Sequence, residues 1–139
     1  QLAERCWRAY LDLTPPDDAG RLGAQNNLGT ALGDQAGLAT DDAERRRLLG
    51  AAETAYRAAI GASVEGTADW AIMQYNLAVF YWTRAEGAED ETAACADLGE
   101  ALGCADRARG AFSPGTADHA DAVALRLRIE EAQRKRGCP

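Results

Sequence analysis

Apolar residues recur along this chain at the spacing of a helix, and no segment keeps the alternation of a strand. In the first segment Leu2, Cys6, Tyr10 and Leu13 form one such stripe. Short stretches rich in proline, glycine and aspartate separate each segment from the next. The pattern therefore predicts an all-α protein of six helices, at about residues 1–13, 18–36, 41–61, 67–86, 90–111 and 116–136.

The fourth predicted helix, 67–86, is apolar on nearly all sides. One flank carries Trp70, Met73, Leu77, Phe80 and Tyr81, and another carries Ile72, Tyr75, Val79 and Trp82. A helix of this kind is either buried between neighbours or presents its second face to a ligand. The second helix is unusual in another way, because it contains Gly29, Gly33 and Gly37. Glycine inside a helix is unfavourable, so these residues predict the close approach of another helix.

The chain also repeats itself every 49 residues. Ala3, Ala52 and Ala101 are equally spaced, and 13 of 49 residue pairs are identical when 17–65 is aligned with 66–114. A fixed period in this range indicates one supersecondary unit stacked on copies of itself. Because the predicted loops are short, neighbouring helices are expected to be antiparallel. We therefore predict a single α-solenoid domain with a helix over 1–14, hairpins over 17–62 and 66–112, and a charged capping helix over 115–137.

The repeated residues resemble a tetratricopeptide repeat. Asn27-Leu28-Gly29 with Leu32, and Asn76-Leu77-Ala78 with Tyr81, resemble the signature of helix A in that family, and Ala52, Tyr56 and Ala59 resemble helix B. The chain is similar to the long tetratricopeptide arrays of bacterial signalling and defence proteins and to the repeats of kinesin light chains. It departs from the family in its longer period and in Arg126, which occupies a leucine position of the last helix A.

The resemblance implies a non-catalytic scaffold in which the A helices line a concave groove for a peptide or partner protein. The groove residues that it implies are Asn26, Thr30, Asp34, Tyr75, Val79, Trp82, Asp121 and Arg128. Tyr75 and Trp82 are the expected anchors, since aromatic side chains supply much of the energy of protein interfaces. The alternative is that neighbouring hairpins bury both. Asp121 and Leu125 occupy the places of basic clamp residues in the family, which disfavours acidic tails as ligands.

Charge limits the classes of partner. The formal net charge is −7 and the isoelectric point is about 4.7. An acidic surface repels phosphate backbones and anionic lipids, so nucleic acids and membranes are not expected partners. The one basic cluster, 134–136, lies in the last turn of the final helix, where it complements the helix dipole.

The four cysteines show no metal-binding spacing. Cys6 and Cys104 lie two periods apart, and Ala55 occupies the same place in the middle copy. A place that accepts cysteine or alanine is typical of a small, buried packing residue. We therefore predict four reduced thiols and a cytoplasmic protein, with neither disulfide nor metal.

No residue pattern predicts catalysis or a cofactor. The one histidine, His119, is the repeat equivalent of Trp70, which favours a surface or packing role. Paired carboxylates such as Asp41-Asp42 lie at helix starts, where they act as caps. Two alternatives to the binding scaffold remain open. One is a self-associating array segment that regulates an attached effector domain, because the chain begins inside a helical pattern. The other is a helical enzyme or small-ligand sensor that uses the aromatic helix.

Overall fold

The computed structural model describes all 139 residues and consists of six helices without strands, which confirms the all-α prediction. The helices are α1 (Leu2–Leu13), α2 (Gly20–Leu38), α3 (Asp42–Ala62), α4 (Ala68–Glu86), α5 (Glu91–Ala111) and α6 (Ala117–Arg136). Each end lies within two residues of its predicted place. None of the helices combines the length and the apolar run that crossing a membrane requires.

Polar side chains cap most helix starts, and one of them is Asp41, where the sequence predicts a cap. Asp41, Thr67, Asp90 and Thr116 each precede a helix and accept a hydrogen bond from a backbone N–H of its first turn. These bonds satisfy donors that have no partner within the helix. At the other end of α6, Gly137 adopts a left-handed backbone with φ 68°, which glycine adopts without steric cost.

The chain divides into two compact units, Gln1–Val64 and Glu65–Pro139. In the first unit, α2 packs against both α3 and α1. Its core is apolar and consists largely of Leu28, Leu32, Leu48, Ala52, Ala55, Tyr56 and Ala59. The predicted close approach of helices occurs at Gly29, which contacts Tyr56. It does not occur at Gly33 or Gly37, where an added side chain would meet open space.

The second unit contains α4, α5 and α6, with α5 packed against both of the other helices. Its largest fully buried side chains are Leu77, Tyr81, Leu98, Cys104 and Ile129. A smaller cluster of Ala71, Ala108, Phe112 and Ala122 joins the three helices. Between α4 and α5, the Arg84 guanidinium forms a two-pronged ion pair with Asp97, at 2.9 and 2.7 Å.

The prediction of four reduced thiols is wrong, because Cys95 and Cys138 form a disulfide in the second unit. The turn after α6 places Cys138 beside the first turns of α5. The two cysteines are 43 residues apart, so the sequence gives no local sign that they are close. The expectation of a cytoplasmic location relied on reduced thiols and loses that support. Cys104 is buried as expected, whereas Cys6 is exposed, so the prediction of a buried packing role is wrong for Cys6.

An arginine reinforces the same end of the second unit. Arg136, in the last turn of α6, donates to the Glu91 carboxylate at 2.9 Å. Its other terminal nitrogen donates to the backbone carbonyl of Ala85 at 3.3 Å. One guanidinium therefore links the end of α6 to the start of α5 and the end of α4, close to the disulfide.

Candidate binding surfaces

The three groove residues predicted on α2 share one helical face, and Thr30 among them contacts α3. Asn26, Thr30 and Asp34 are one turn apart, and the Thr30 hydroxyl donates to the Asn26 carbonyl at 3.2 Å. The same hydroxyl lies 3.1 Å from the phenol oxygen of Tyr56. Burial raises the pKa of Tyr56 above its ordinary 10.0, the Thr30 hydrogen bond opposes the rise, and the Asp34 carboxylate adds to it. The structure thus brings Thr30 and Asp34 together around a largely buried tyrosine.

The candidates on α4 are three half-buried side chains on one face. Tyr75, Val79 and Trp82 are separated by four and three residues. Tyr75 packs partly against the small cluster that joins α4, α5 and α6. The indole nitrogen of Trp82 is buried and has no hydrogen-bond partner. Trp82 therefore differs from Tyr75, because it keeps an unused donor beside a partly exposed ring.

The remaining candidates, Asp121 and Arg128, lie on α6 two turns apart, and both are exposed. His119, in the first turn of α6, is half-buried, and its backbone N–H donates to the Thr116 hydroxyl at 3.2 Å. No group of three or more histidine, cysteine, aspartate or glutamate side chains is arranged so that it could hold a metal ion.

A cleft of about 640 Å³ in the first unit was not predicted from the sequence. Leu11, Leu28 and Leu32 form its apolar part, and small α3 residues such as Ala51 and Ala58 form one wall. Its polar lining residues are Arg8, Asp12, Arg21, Gln25 and Thr54. Arg21 also donates to the carbonyls of Leu11 and Thr14, so it closes the end of α1 as well as lining the cleft.

Comparison of the two repeat copies explains one side of this cleft. Gln25 is one period from Gln74, which is buried and accepts a hydrogen bond of 3.3 Å from Arg107. The repeat equivalent of Arg107 is Ala58, which lines the cleft. The first unit therefore has an alanine where the second has the arginine that bonds to Gln74. Glutamine occurs at the same place in both copies, at Gln25 and Gln74, and the sequence alone could have indicated these two residues by that recurrence.

Comparisons of the chain with protein-family models, with curated proteins and with solved structures find no match. The likeness to tetratricopeptide repeats therefore stays a prediction from the sequence. What the chain does has to be inferred from its own residues and contacts.

Proposed function

We propose that this chain is a non-catalytic scaffold of the tetratricopeptide type that binds a peptide or a partner protein. Stacking of its helical hairpins into a solenoid is part of the proposal. The all-helical architecture, the 49-residue period and the small residues packed between paired helices support it. In this view the face of α4 that carries Tyr75, Val79 and Trp82 contacts the ligand.

The indole N–H of Trp82 carries this proposal. It is buried without an acceptor, although its ring is only half-buried. A buried donor without a partner costs about 1–3 kcal/mol, and tryptophan usually satisfies this group when it is buried. Because this nitrogen has almost no surface open to solvent, a peptide carbonyl would reach it only after the Trp82 ring turns outward, and the new hydrogen bond would then remove that cost. Trp82 is therefore the residue at which binding would gain most.

Neighbouring side chains extend the same surface of α4. Val79 and Tyr75 lie on the face of Trp82, one and two turns towards the start of the helix. Tyr75 is already packed against the cluster around Phe112, so its position is held before any ligand arrives. An ordered aromatic ring contributes contact area at low entropic cost. Trp82 is thus the proposed anchor, and Tyr75 and Val79 are the proposed supporting contacts.

The test is a selection of binding peptides from a display library, followed by titration of the chain labelled with 5-fluorotryptophan. The chain has three tryptophans, so fluorine NMR resolves Trp7, Trp70 and Trp82 separately. We expect the Trp82 resonance to move most. Replacing Trp82 with phenylalanine keeps a ring but removes the donor, and should weaken binding roughly tenfold.

The matched control is Trp70→Phe, because Trp70 is also half-buried but lies on a different face of α4. It should leave the affinity within about twofold, since it removes no group of the proposed surface. Selected peptides that bind Trp82→Phe and Tyr75→Ala as tightly as the original chain would overturn this assignment of the surface.

A further inference from the structure

Arg21, which lines the cleft of the first unit, is a half-buried arginine without a carboxylate partner. Every other half-buried arginine forms an ion pair with an aspartate or a glutamate; these are Arg45, Arg84, Arg109, Arg126 and Arg136. Arg21 donates instead to two backbone carbonyls, those of Leu11 at 2.7 Å and Thr14 at 2.6 Å. In a chain of net charge −7, a partly buried cation that no carboxylate neutralises is an exception.

The two hydrogen bonds of Arg21 hold its guanidinium and leave part of it unused. Both bonds come from Nη1, so Nε and Nη2 have no partner in the chain. These two nitrogens form one edge of the planar fork, and such an edge binds a carboxylate through two parallel hydrogen bonds. Because backbone already holds the other edge, a ligand would immobilise little additional side-chain freedom. Arg21 is therefore a preorganised donor pair for an anion.

Gln25 supplies a second unused donor beside Arg21. It follows Arg21 by one turn of α2, and both residues line the cleft of about 640 Å³. The Gln25 amide has no hydrogen-bond partner in the chain, whereas its repeat equivalent, Gln74, accepts a bond from Arg107. The amide N–H₂ of Gln25 is thus available to the same ligand oxygens as the free edge of Arg21.

The rest of the cleft is largely apolar. Leu28 and Leu32 continue the face of α2 that carries Arg21 and Gln25, and Leu11 of α1 lies with them. All three leucines are buried. Small-molecule sites have volumes of roughly 300–1,000 Å³ and combine an apolar lining with a few convergent polar groups. The cleft has both properties, and its lining residues all belong to the first unit.

Two further charged residues line the cleft, and neither replaces Arg21 as a partner for an anion. Arg8 donates to the Glu4 carboxylate at 3.0 Å, so its charge is already compensated. Asp12 is exposed and forms no ion pair, and its negative charge opposes the binding of an anion. Arg21 is therefore the cation of this cleft that a ligand can still neutralise.

We propose that the cleft binds a small carboxylic acid with an aliphatic body. The carboxylate lies against the free edge of Arg21 and the amide of Gln25, and the aliphatic body lies on the leucines. This site goes beyond the scaffold function proposed above. It shares no residue with the α4 surface around Trp82, so either proposal can fail without the other.

The test is a titration with octanoate, followed by NMR of the chain labelled with ¹³C in its leucine methyl groups. Octan-1-ol is the control that keeps the carbon chain without the carboxylate, and acetate is the control that keeps the carboxylate without the chain. We expect the methyl resonances of Leu28 and Leu32 to move with octanoate. Octanoate should bind at least about tenfold more tightly than either control, because charge-assisted hydrogen bonds and apolar burial both contribute.

Four variants locate the ligand. Ala58→Phe places a ring in the cleft and should abolish binding, whereas Ala43→Phe, at an exposed α3 alanine outside the cleft, should leave the affinity within about twofold. Arg21→Lys keeps the charge but loses the fork, and should weaken octanoate binding roughly tenfold. Asp12→Asn removes the opposing charge and should strengthen binding roughly twofold. Circular dichroism checks that each variant keeps its helix content.

Three results would overturn the proposal. The first is saturating octanoate that leaves the Leu28 and Leu32 resonances in place. The second is octan-1-ol that binds as tightly as octanoate, because the carboxylate would then contribute nothing. The third is unchanged octanoate binding in Ala58→Phe, which would place the ligand outside the cleft. Trp82→Phe should leave octanoate binding unchanged, so this test is separate from that of the α4 surface.

Discussion

The ring of Tyr56 in α3 lies directly against the backbone of Gly29 in α2, so that a Cβ atom on residue 29 would come within 3.0 Å of three ring carbons. This approach also lets the Tyr56 hydroxyl reach Thr30, 3.1 Å away. The missing side chain of one residue therefore allows both the packing and the hydrogen bond between these helices.

Replacing Gly29 with alanine should lower the free energy of unfolding by about 1 kcal/mol. The methyl group would favour the helix by up to about 1 kcal/mol, but overpacking against the Tyr56 ring costs about 1–3 kcal/mol. Gly33→Ala is the matched control in the same helix, since its side chain meets open space. It should stabilise the protein by up to about 1 kcal/mol. Urea unfolding measures both, and equal stabilisation by the two variants would contradict the close contact.

Removing the Tyr56 hydroxyl should change stability in a pH-dependent way. At neutral pH, Tyr56→Phe loses the hydrogen bond to Thr30 and should cost about 1 kcal/mol. Burial raises the native pKa of Tyr56 above 10.0, so the native state holds this proton more tightly than the unfolded chain does. The stability that results is intact below pH 10 and is lost as pH rises through the native pKa.

Unfolding measured from pH 8 to pH 11 tests this expectation. The original chain should lose more stability than Tyr56→Phe does above about pH 10, because only the original chain must ionise this buried phenol. Contributions from the rest of the chain are common to both proteins and cancel in the comparison. Parallel pH profiles for the two proteins would show that Tyr56 is not buried against α2 in solution.

Replacing Arg84 with lysine should lower the free energy of unfolding. Arg84 pairs with Asp97 through two nitrogens, and its guanidinium carbon lies 5.3 Å from the ring centres of both Phe80 and Tyr81. Lysine keeps the charge but loses the planar fork and the stacking, so Arg84→Lys should cost about 1–2 kcal/mol. Arg8→Lys, at an exposed pair with Glu4, should change stability by less than about 0.5 kcal/mol in the same thermal or urea unfolding. Equal effects would show that the Arg84 geometry contributes nothing specific.

Reducing the disulfide between Cys95 and Cys138 should lower stability by about 2–4 kcal/mol. The bond closes a loop with a sequence separation of 43, and opening it gives the unfolded chain more conformational freedom. Urea unfolding with and without reductant measures the loss, and Cys138→Ser should reproduce it without reductant. Cys6→Ser is the control, because Cys6 is exposed and unbonded. A non-reduced peptide map without a linked pair would contradict the bond itself.

The helices were predictable because their signals are local. Asp41 and Glu44 define the start of α3 within one turn, and the Asp41 side chain does accept the Glu44 N–H. The proline pair after Thr14 ends α1 in the same way. These interactions span at most a few residues, so residue order alone reveals them.

The candidate surfaces were only partly predictable. Helical spacing places Tyr75 and Trp82 on one face of α4, but it does not show that Tyr75 packs into a cluster or that the Trp82 donor lacks an acceptor. The packing of Tyr75 depends on residues more than thirty positions away, such as Ala108 and Phe112. The cleft in the first unit was missed for the same reason, since three helices contribute to its lining.

By itself the sequence determined the six helices, their ends and their 49-residue period, because hydrophobic spacing and capping act over one or two turns. Only the tertiary structure decided that Cys95 meets Cys138, that Gly29 but neither Gly33 nor Gly37 is pressed against the Tyr56 ring, and that Leu2 and Leu13 of α1 are exposed. Each of these outcomes depends on which helix faces which. That choice is made by packing between distant segments, and the pattern of a single helix does not contain it.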